Sequence, residues 1–285
     1  MSDLRSAVRD ATERLAAAGI PSPEVDAVAL AAHALGVDTA EVRRSMVLGA
    51  PEPEAYAGLV AERAARVPLQ HLTGVAHFRR VTLAVGPGVF VPRPETEVTA
   101  GLAIDAARAC GDTPVVVDLC TGSGAIALAV KDELPAATVL AVELSDLAHG
   151  WAVANRDRLG LDVEVRLGDA RTAFDELVAA VDVVVSNPPY NPVGAVPVDP
   201  EVRDHDPEVA LYGGSADGLA VPVAVAARAA ALLRVGGVLV MEHADSQGGS
   251  LPAALRATGE WVEVVDHADP AGRPRTTVAV RGPRG

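Results

Sequence analysis

From about Glu95 onward, short runs of β-branched and aliphatic residues alternate with longer helical patterns, and this alternation constrains the fold more than any other feature. The apolar runs are Val115–Leu119, Thr138–Glu143, Val163–Leu167, Val181–Ser186, Gly237–Glu242, Trp261–Asp266 and Thr277–Arg281. Helical segments separate the first several, so successive strands return through crossovers. That predicts a doubly wound, mostly parallel, seven-stranded α/β sheet. Ligands of such sheets sit beyond the carboxyl ends of the strands. The residues that follow each run are therefore where chemistry is expected.

The first part of the chain has a different pattern. Leu4, Val8, Ala11 and Leu15 recur at helical spacing until Gly19 and Pro21 end the run. Ser22 then offers an N-cap with Pro23 at the first helical position, and Val25, Val28, Ala32 and Leu35 form the next apolar stripe, stopped by Gly36. Asp38 followed by Glu41 suggests another capped start, and a further helix is expected over Glu54–Arg66, before Pro68. The expected organisation is a small helical domain over 1–72, a β-hairpin linker over 73–94 and an α/β domain over 95–285. The hairpin rests on His77–Val91, rich in β-formers and interrupted by Gly86, Pro87 and Gly88.

Charge and composition exclude several functions. The formal net charge is −14, and a protein that grips duplex nucleic acid needs a basic face to neutralise phosphates, so no direct nucleic-acid binding is expected. Only Cys110 and Cys120 are present, which argues against a disulfide framework or a thiolate metal site. His33, His71, His77, His149, His205 and His267 show no metal-ligand spacing, so no metal is expected. Met1-Ser2-Asp3-Leu4-Arg5 begins no signal-peptide core, and no uncharged apolar run is long enough to span a bilayer. A cytoplasmic protein is expected.

Four strand ends carry candidate chemistry. After the first comes Asp118-Leu119-Cys120-Thr121-Gly122-Ser123-Gly124-Ala125-Ile126, where glycines let the backbone pass close to a ligand. A carboxylate at Asp118 suits a cationic ligand and disfavours a pyrophosphate. S-adenosylmethionine, which carries an ammonium and a sulfonium, meets that requirement. Glu143, at the second strand end, can accept both hydroxyls of a ribose, as an acid does in dinucleotide enzymes as well. Asp169, followed by Ala170 after the third strand, can accept from an adenine amino group while a backbone N–H meets a ring nitrogen.

The most specific signal follows the fourth strand: Ser186-Asn187-Pro188-Pro189-Tyr190. The two prolines fix φ and remove backbone donors, which stiffens the loop and leaves its carbonyls as acceptors. The Asn187 side-chain oxygen and the Pro188 carbonyl can take both N–H bonds of a substrate –NH₂. Such a grip favours the positive charge that the nitrogen develops during attack. Tyr190 offers a flat face to a planar amide or base. Asn187, Pro188 and Tyr190 are thus the expected catalytic residues, and Pro189 lines the same substrate loop. Glu242-His243 ends the fifth strand at this edge, where a structural role is the simpler expectation.

With these motifs in hand, the chain resembles the PrmC/HemK family, which methylates the glutamine side chain of peptide chain release factors. The resemblance runs over almost the whole length. Its marks are Pro68-Leu69-Gln70-His71-Leu72-Thr73-Gly74, Val91-Pro92-Arg93-Pro94-Glu95-Thr96-Glu97, Thr121-Gly122-Ser123-Gly124 and the Asn187-Pro188-Pro189-Tyr190 loop. Ala210-Leu211, Gly213-Gly214, Asp217-Gly218-Leu219 and Glu242-His243 followed by Gln247-Gly248 also fit. Cys120 stands where the family usually has Gly, and Glu143 where it often has Asp.

The resemblance implies a class I S-adenosylmethionine-dependent methyltransferase domain behind a helical substrate-recognition domain. The implied partner is a class-one release factor, methylated at N5 of the glutamine in its Gly-Gly-Gln loop, with S-adenosylhomocysteine as product. Asp118, Cys120, Thr121, Gly122, Ser123, Gly124, Glu143, Asp169, Ala170 and Asn187 would line the cofactor, and Arg93 and Glu95 would join the loop in holding substrate. A DNA adenine amino-methyltransferase shares the Asn187 loop but conflicts with the charge. A nicotinamide oxidoreductase leaves that loop unexplained.

Overall fold

A computed structural model describes residues 3–283. Met1 and Ser2, the start of the expected helical domain, and Arg284 and Gly285, the end of the expected α/β domain, lie outside the described residues. The chain divides into two compact units. The first takes in Met1–Val75 together with Val85–Pro87 and Pro197–His205, and the second takes in the rest.

The first unit contains helices α1 (Leu4–Ala17), α2 (Pro23–Leu35), α3 (Thr39–Val47), α4 (Tyr56–Ala64) and α5 (Leu69–Thr73). Asp3 caps α1 by accepting from the Ser6 amide, and Asp38 caps α3 by accepting from the Glu41 amide. Leu4, Val8, Leu15, Leu30, Val42, Tyr56 and Val60 form its apolar centre, with the Tyr56 hydroxyl donating to the Ala27 carbonyl at 3.0 Å. A later helix, α9 (Pro200–His205), belongs to this unit. It is tied in by charge: buried Arg63 pairs with Asp26 at 2.7 Å and with Glu201 at 2.9 Å, and Arg66 reaches Asp199 and Glu201, each at 3.1 Å.

Strands β1 (Val75–Phe78) and β2 (Val81–Ala84) form a two-stranded hairpin. The second unit then runs through α6 (Thr96–Ala109), β3 (Val115–Leu119), α7 (Ala125–Glu133), β4 (Thr138–Glu143), α8 (Asp146–Leu159), β5 (Val163–Leu167) and β6 (Val181–Ser186). It continues with α10 (Ala220–Leu232), β7 (Leu233–Glu242), α11 (Ser250–Ala257), β8 (Trp261–Ala268) and β9 (Pro274–Arg281). The seven strands of its sheet lie in the order β5-β4-β3-β6-β7-β9-β8, with β3 to β7 parallel and β9 antiparallel to both neighbours. The expected seven-stranded, mostly parallel sheet is what the chain forms.

The strand order reverses between β3 and β6, which is the switch point where doubly wound sheets bind ligands. Register aligns the relevant ends, with Leu119 opposite both Val142 and Ser186, and Ser186 opposite Met241. The core under this edge includes Val117, Leu119, Val142, Val184, Leu239 and Met241, all buried. Among the described residues no helix is long and apolar enough to cross a membrane.

Candidate active site

The turn after β3 is held from below. Asp118 is fully buried, and its Oδ2 accepts from the Thr121 hydroxyl at 2.6 Å and from the Ala127 amide at 3.2 Å. The carboxylate therefore caps the start of α7 and fastens the glycine turn, a role that spacing alone did not reveal. Its Oδ1 is buried with no hydrogen-bond partner among the described residues. Gly124 sits at φ +85°, a conformation that calls for glycine, and a Cβ there would also press on Leu128 Cδ1 at 2.9 Å. Cys120 has φ +70°, the left-handed region that disfavours side chains. A glycine here would adopt that angle without strain. Cys120→Gly is expected to raise the unfolding free energy by up to about 1 kcal/mol, the left-handed penalty less glycine's entropic cost. Urea denaturation checks it, and a loss of stability would contradict the strain.

Glu143, at the end of β4, accepts from the Gly122 amide through Oε2 and from the Ser145 amide through Oε1, both at 2.8 Å. Each oxygen keeps a lone pair, so the side chain can still receive two hydroxyls while clamped between the turn and the start of α8. Asp169 is tied to Arg171, whose Nη2 lies 2.5 Å from Oδ2 and whose backbone amide donates to Oδ1. A ligand amino group at Asp169 would have to displace that exposed arginine. Ala170 is buried beside it. The donor set, an unsatisfied buried carboxylate oxygen with a clamped carboxylate one strand away, fits a cationic nucleoside ligand.

Burial pushes the Asp118 carboxyl up to about 7, against the hydrogen bonds of Thr121 and Ala127 that lower it. The folded protein therefore keeps a proton that the unfolded chain loses above the ordinary carboxylate range. This group's contribution to stability is full at low pH and declines as pH rises toward 7. A cation bound beside Asp118 needs the ionised form, so affinity for S-adenosylmethionine should weaken as pH falls below about 7, with proton release on binding. Calorimetry in buffers of different ionisation enthalpy measures this. Binding independent of pH would refute it.

The Asn187 loop leaves β6 at Ser186, whose hydroxyl donates to the Leu119 carbonyl at 2.5 Å. Asn187 Nδ2 donates to Thr96 Oγ1 at 3.3 Å. Among the described residues, neither Asn187 Oδ1 nor the Pro188 carbonyl accepts a hydrogen bond, so the two expected acceptors are both free. The loop is braced from behind by buried Gln247, whose Nε2 donates to the Tyr190 and Asp217 carbonyls at 2.9 Å each. Gln247 Oε1 in turn accepts from the Ala244 amide. Asn191 continues the anchorage, its amide bonded to the Leu211 carbonyl and its carbonyl to the Gly213 amide.

Around this loop the structure gathers residues that spacing did not join. Glu242, at the end of β7, is buried, and its Oε2 accepts from Thr99 at 3.2 Å. Thr99 Oγ1 lies 2.8 Å from Thr276 Oγ1, and the Tyr190 hydroxyl lies 3.5 Å from Glu242 Oε1. His243 is a buried structural group, bridging the Ala244 carbonyl and Asp266. Arg93 stacks on Phe90 and pairs with Asp206 at 2.6 Å, while Glu95 reaches Arg273 at 3.5 Å. Both expected substrate residues thus already hold partners. Thr96 and Gln247 lie inside motifs noted above, but nothing in their spacing predicts what they touch. Among the described residues no cluster of His, Cys, Asp or Glu is placed to hold a metal.

The PrmC N-terminal domain family matches residues 6–74, and the methyltransferase small domain family matches residues 81–199. A release factor glutamine methyltransferase of Streptomyces coelicolor is 51% identical, over 98% of this chain and 98% of the relative. A 4-amino-L-phenylalanine/4-methylamino-L-phenylalanine methyltransferase of Streptomyces pristinaespiralis is 42% identical, over 90% of this chain and 89% of the relative. Among solved structures, a methyltransferase from Pyrococcus furiosus superposes with TM-score 0.51 at 16% identity, over 80% of this chain and 98% of that one. That likeness speaks for the fold alone, a class I methyltransferase sheet. With the full-length identity, the front-domain match and the strand-end residues in agreement, the chain belongs to the release factor glutamine methyltransferase (PrmC) family of S-adenosylmethionine-dependent methyltransferases.

Proposed function

We propose that this protein moves the methyl group of S-adenosylmethionine to the side-chain amide nitrogen of the glutamine in the Gly-Gly-Gln loop of class-one release factors. The observation that carries the reading is the pair of free acceptors, Asn187 Oδ1 and the Pro188 carbonyl, at the carboxyl end of β6 beside the switch point. The turn after β3, Glu143 and the Asp118 carboxylate would hold S-adenosylmethionine, which would supply an electrophilic methyl on a sulfonium. The protein's own contribution is positional. Two acceptors hold both N–H bonds, Tyr190 lies against the amide plane, and the nitrogen lone pair is left directed at the methyl. As the N–C bond formed, the bond from the methyl to sulfur would break with its electron pair left on sulfur, positive charge would pass to nitrogen, and the two oxygens would stabilise it. The methylated nitrogen would then give its extra proton to solvent, so no strong base is required of the protein.

In this reading residues 1–72 recognise the release factor, residues 73–94 link, and residues 95–285 carry the methyl transfer. The match of the PrmC N-terminal domain over 6–74 supports this division, since the cofactor-binding strand ends all lie later in the chain. A cytoplasmic location follows from such a substrate. The 4-aminophenylalanine in the name of one relative also carries an –NH₂, so the acceptor loop alone does not choose between substrates. The test is direct: incubate the protein with methyl-labelled S-adenosylmethionine and either a class-one release factor or 4-aminophenylalanine, then locate the label by mass spectrometry. Label on the glutamine of the Gly-Gly-Gln loop is the expected result. Label on the aromatic amine alone would overturn the proposed substrate.

A further inference from the structure

The amide of Asn187 is nearly symmetric in shape, so either its oxygen or its –NH₂ could face the substrate, and only neighbouring hydrogen bonds decide which. We infer that Thr96, oriented by Glu242, is the positioning residue that turns the Asn187 carbonyl toward the substrate nitrogen. The inference rests on the reading of Asn187 as the amide-gripping residue. Thr96 is the first residue of α6 and is 4% exposed, and Glu242 is 2% exposed, so neither group can satisfy itself with bulk water. Thr96 Oγ1 lies 3.3 Å from Asn187 Nδ2, and the Thr96 hydroxyl favours the charged form of the Glu242 carboxyl.

The direction of these bonds follows from the supply of protons. An ionised carboxylate only accepts, and a threonine hydroxyl has one proton to give. Burial pushes the Glu242 carboxyl up to about 7, and above that pH, with Glu242 ionised, the Thr96 proton points to Glu242 and what Thr96 offers Asn187 is a lone pair. A lone pair can be met only by the Asn187 –NH₂, which leaves Oδ1 on the substrate side. Thr99 helps to hold the carboxylate in place, through its own bond to Oε2 and its contact with Thr276. Were Glu242 to present a donor instead, the Thr96 proton would turn toward Asn187 and favour the flipped amide. The flipped amide opposes its –NH₂ to the substrate –NH₂, donor against donor, and the complex is unproductive.

Single-turnover methyl transfer to a class-one release factor at saturating labelled S-adenosylmethionine tests this on the full chain. Thr96→Val keeps the shape but removes the hydroxyl. It should slow transfer about 10–100-fold, the scale seen when an outer partner of a functional group is lost, with cofactor affinity unchanged. Thr96→Ser restores a hydroxyl and should recover most of that loss. Glu242→Gln, which places a donor beside Thr96, should slow transfer to a similar degree and serves if the valine variant does not fold. Each slow variant combined with Asn187→Ala should be no slower than Asn187→Ala alone, because both changes remove the same interaction. A wild-type rate for Thr96→Val overturns the inference, and so does failure of serine to rescue or a multiplicative loss in the double variants. Were Asn187→Ala itself to transfer at the wild-type rate, it is the assignment of Asn187 that would fall, a distinguishable result.

Discussion

Asn187→Ala is expected to slow methyl transfer about 10²–10³-fold at saturating cofactor, comparable to losing one preorganised polar group at a reacting centre. The loss should fall on the transfer step. Among the described residues the Asn187 side chain hydrogen-bonds to Thr96 and makes no hydrogen bond to the turn after β3. Cofactor affinity and thermal stability should therefore stay near wild type. The loop's course is kept by Pro188, Pro189 and the Gln247 bonds to the Tyr190 carbonyl, none of which the alanine disturbs. Asn187→Asp is informative in a different way. It keeps an acceptor but brings a negative charge close to the sulfonium, so it should bind cofactor at least as well while holding the amide less accurately. Rapid-quench measurement of the first turnover separates these outcomes. An alanine variant that transfers at the wild-type rate would remove the case for an amide grip.

Gly218→Ala is expected to be strongly damaging, although it adds a single methyl group near the site. A Cβ on Gly218 would lie 2.0 Å from the Tyr190 carbonyl oxygen and 2.9 Å from both the Asn191 carbonyl carbon and Gln247 Nε2. The residue also has φ +73°, so an alanine would be strained even in open space. Overpacking and a left-handed alanine together should lower stability by about 2–4 kcal/mol. Relief can come only by pushing Tyr190 and Asn191 outward, which moves Pro188 with them. A displacement near 1 Å at a positioning loop costs about 10²-fold in rate, so the surviving folded fraction should also be slow. Thermal denaturation and single-turnover rates report the two effects separately. Wild-type values for both would mean that the contact between the Asp217–Gly218 turn and the Tyr190 loop is not maintained.

Much of this architecture can be read from residue order because its determinants are local. The valine-rich runs that become β3, β4, β5 and β6 begin and end as expected, since each is bounded by turn residues or charge. β7 begins earlier than expected, at Leu233, because an irregularity opposite Val181 and Val183 lets the chain rejoin the ladder after Gly237. The Asn187 loop is legible because two consecutive prolines after a buried strand leave few structural uses. What surrounds it is not. The bracing of Tyr190 by Gln247 and the contact of Thr96 with Asn187 join residues far apart in the chain, and no periodicity signals such pairs. Asp118 shows a related limit. Its position at a strand end is evident in the sequence, but the hydrogen bonds that make it a fastener of the turn depend on where α7 begins.

The membership of α9 in the helical unit has a consequence for vectorial synthesis. Helices α1 to α5 leave the ribosome first, and their apolar centre can close early. Arg63, which is 4% exposed, then has Asp26 as a partner, but Glu201 is still many residues from being made. Asp26 and the Val67 carbonyl are already in place, but the Arg63 Nη2 that pairs with Glu201 lacks its partner, so the nascent bundle should remain loosely closed around Arg63 until the segment with Asp199 and Glu201 emerges. By then the chain has also delivered β3 to β6 and the Asn187 loop, which precedes α9 directly in sequence. Final closure of the helical unit therefore waits for most of the catalytic sheet to be synthesised.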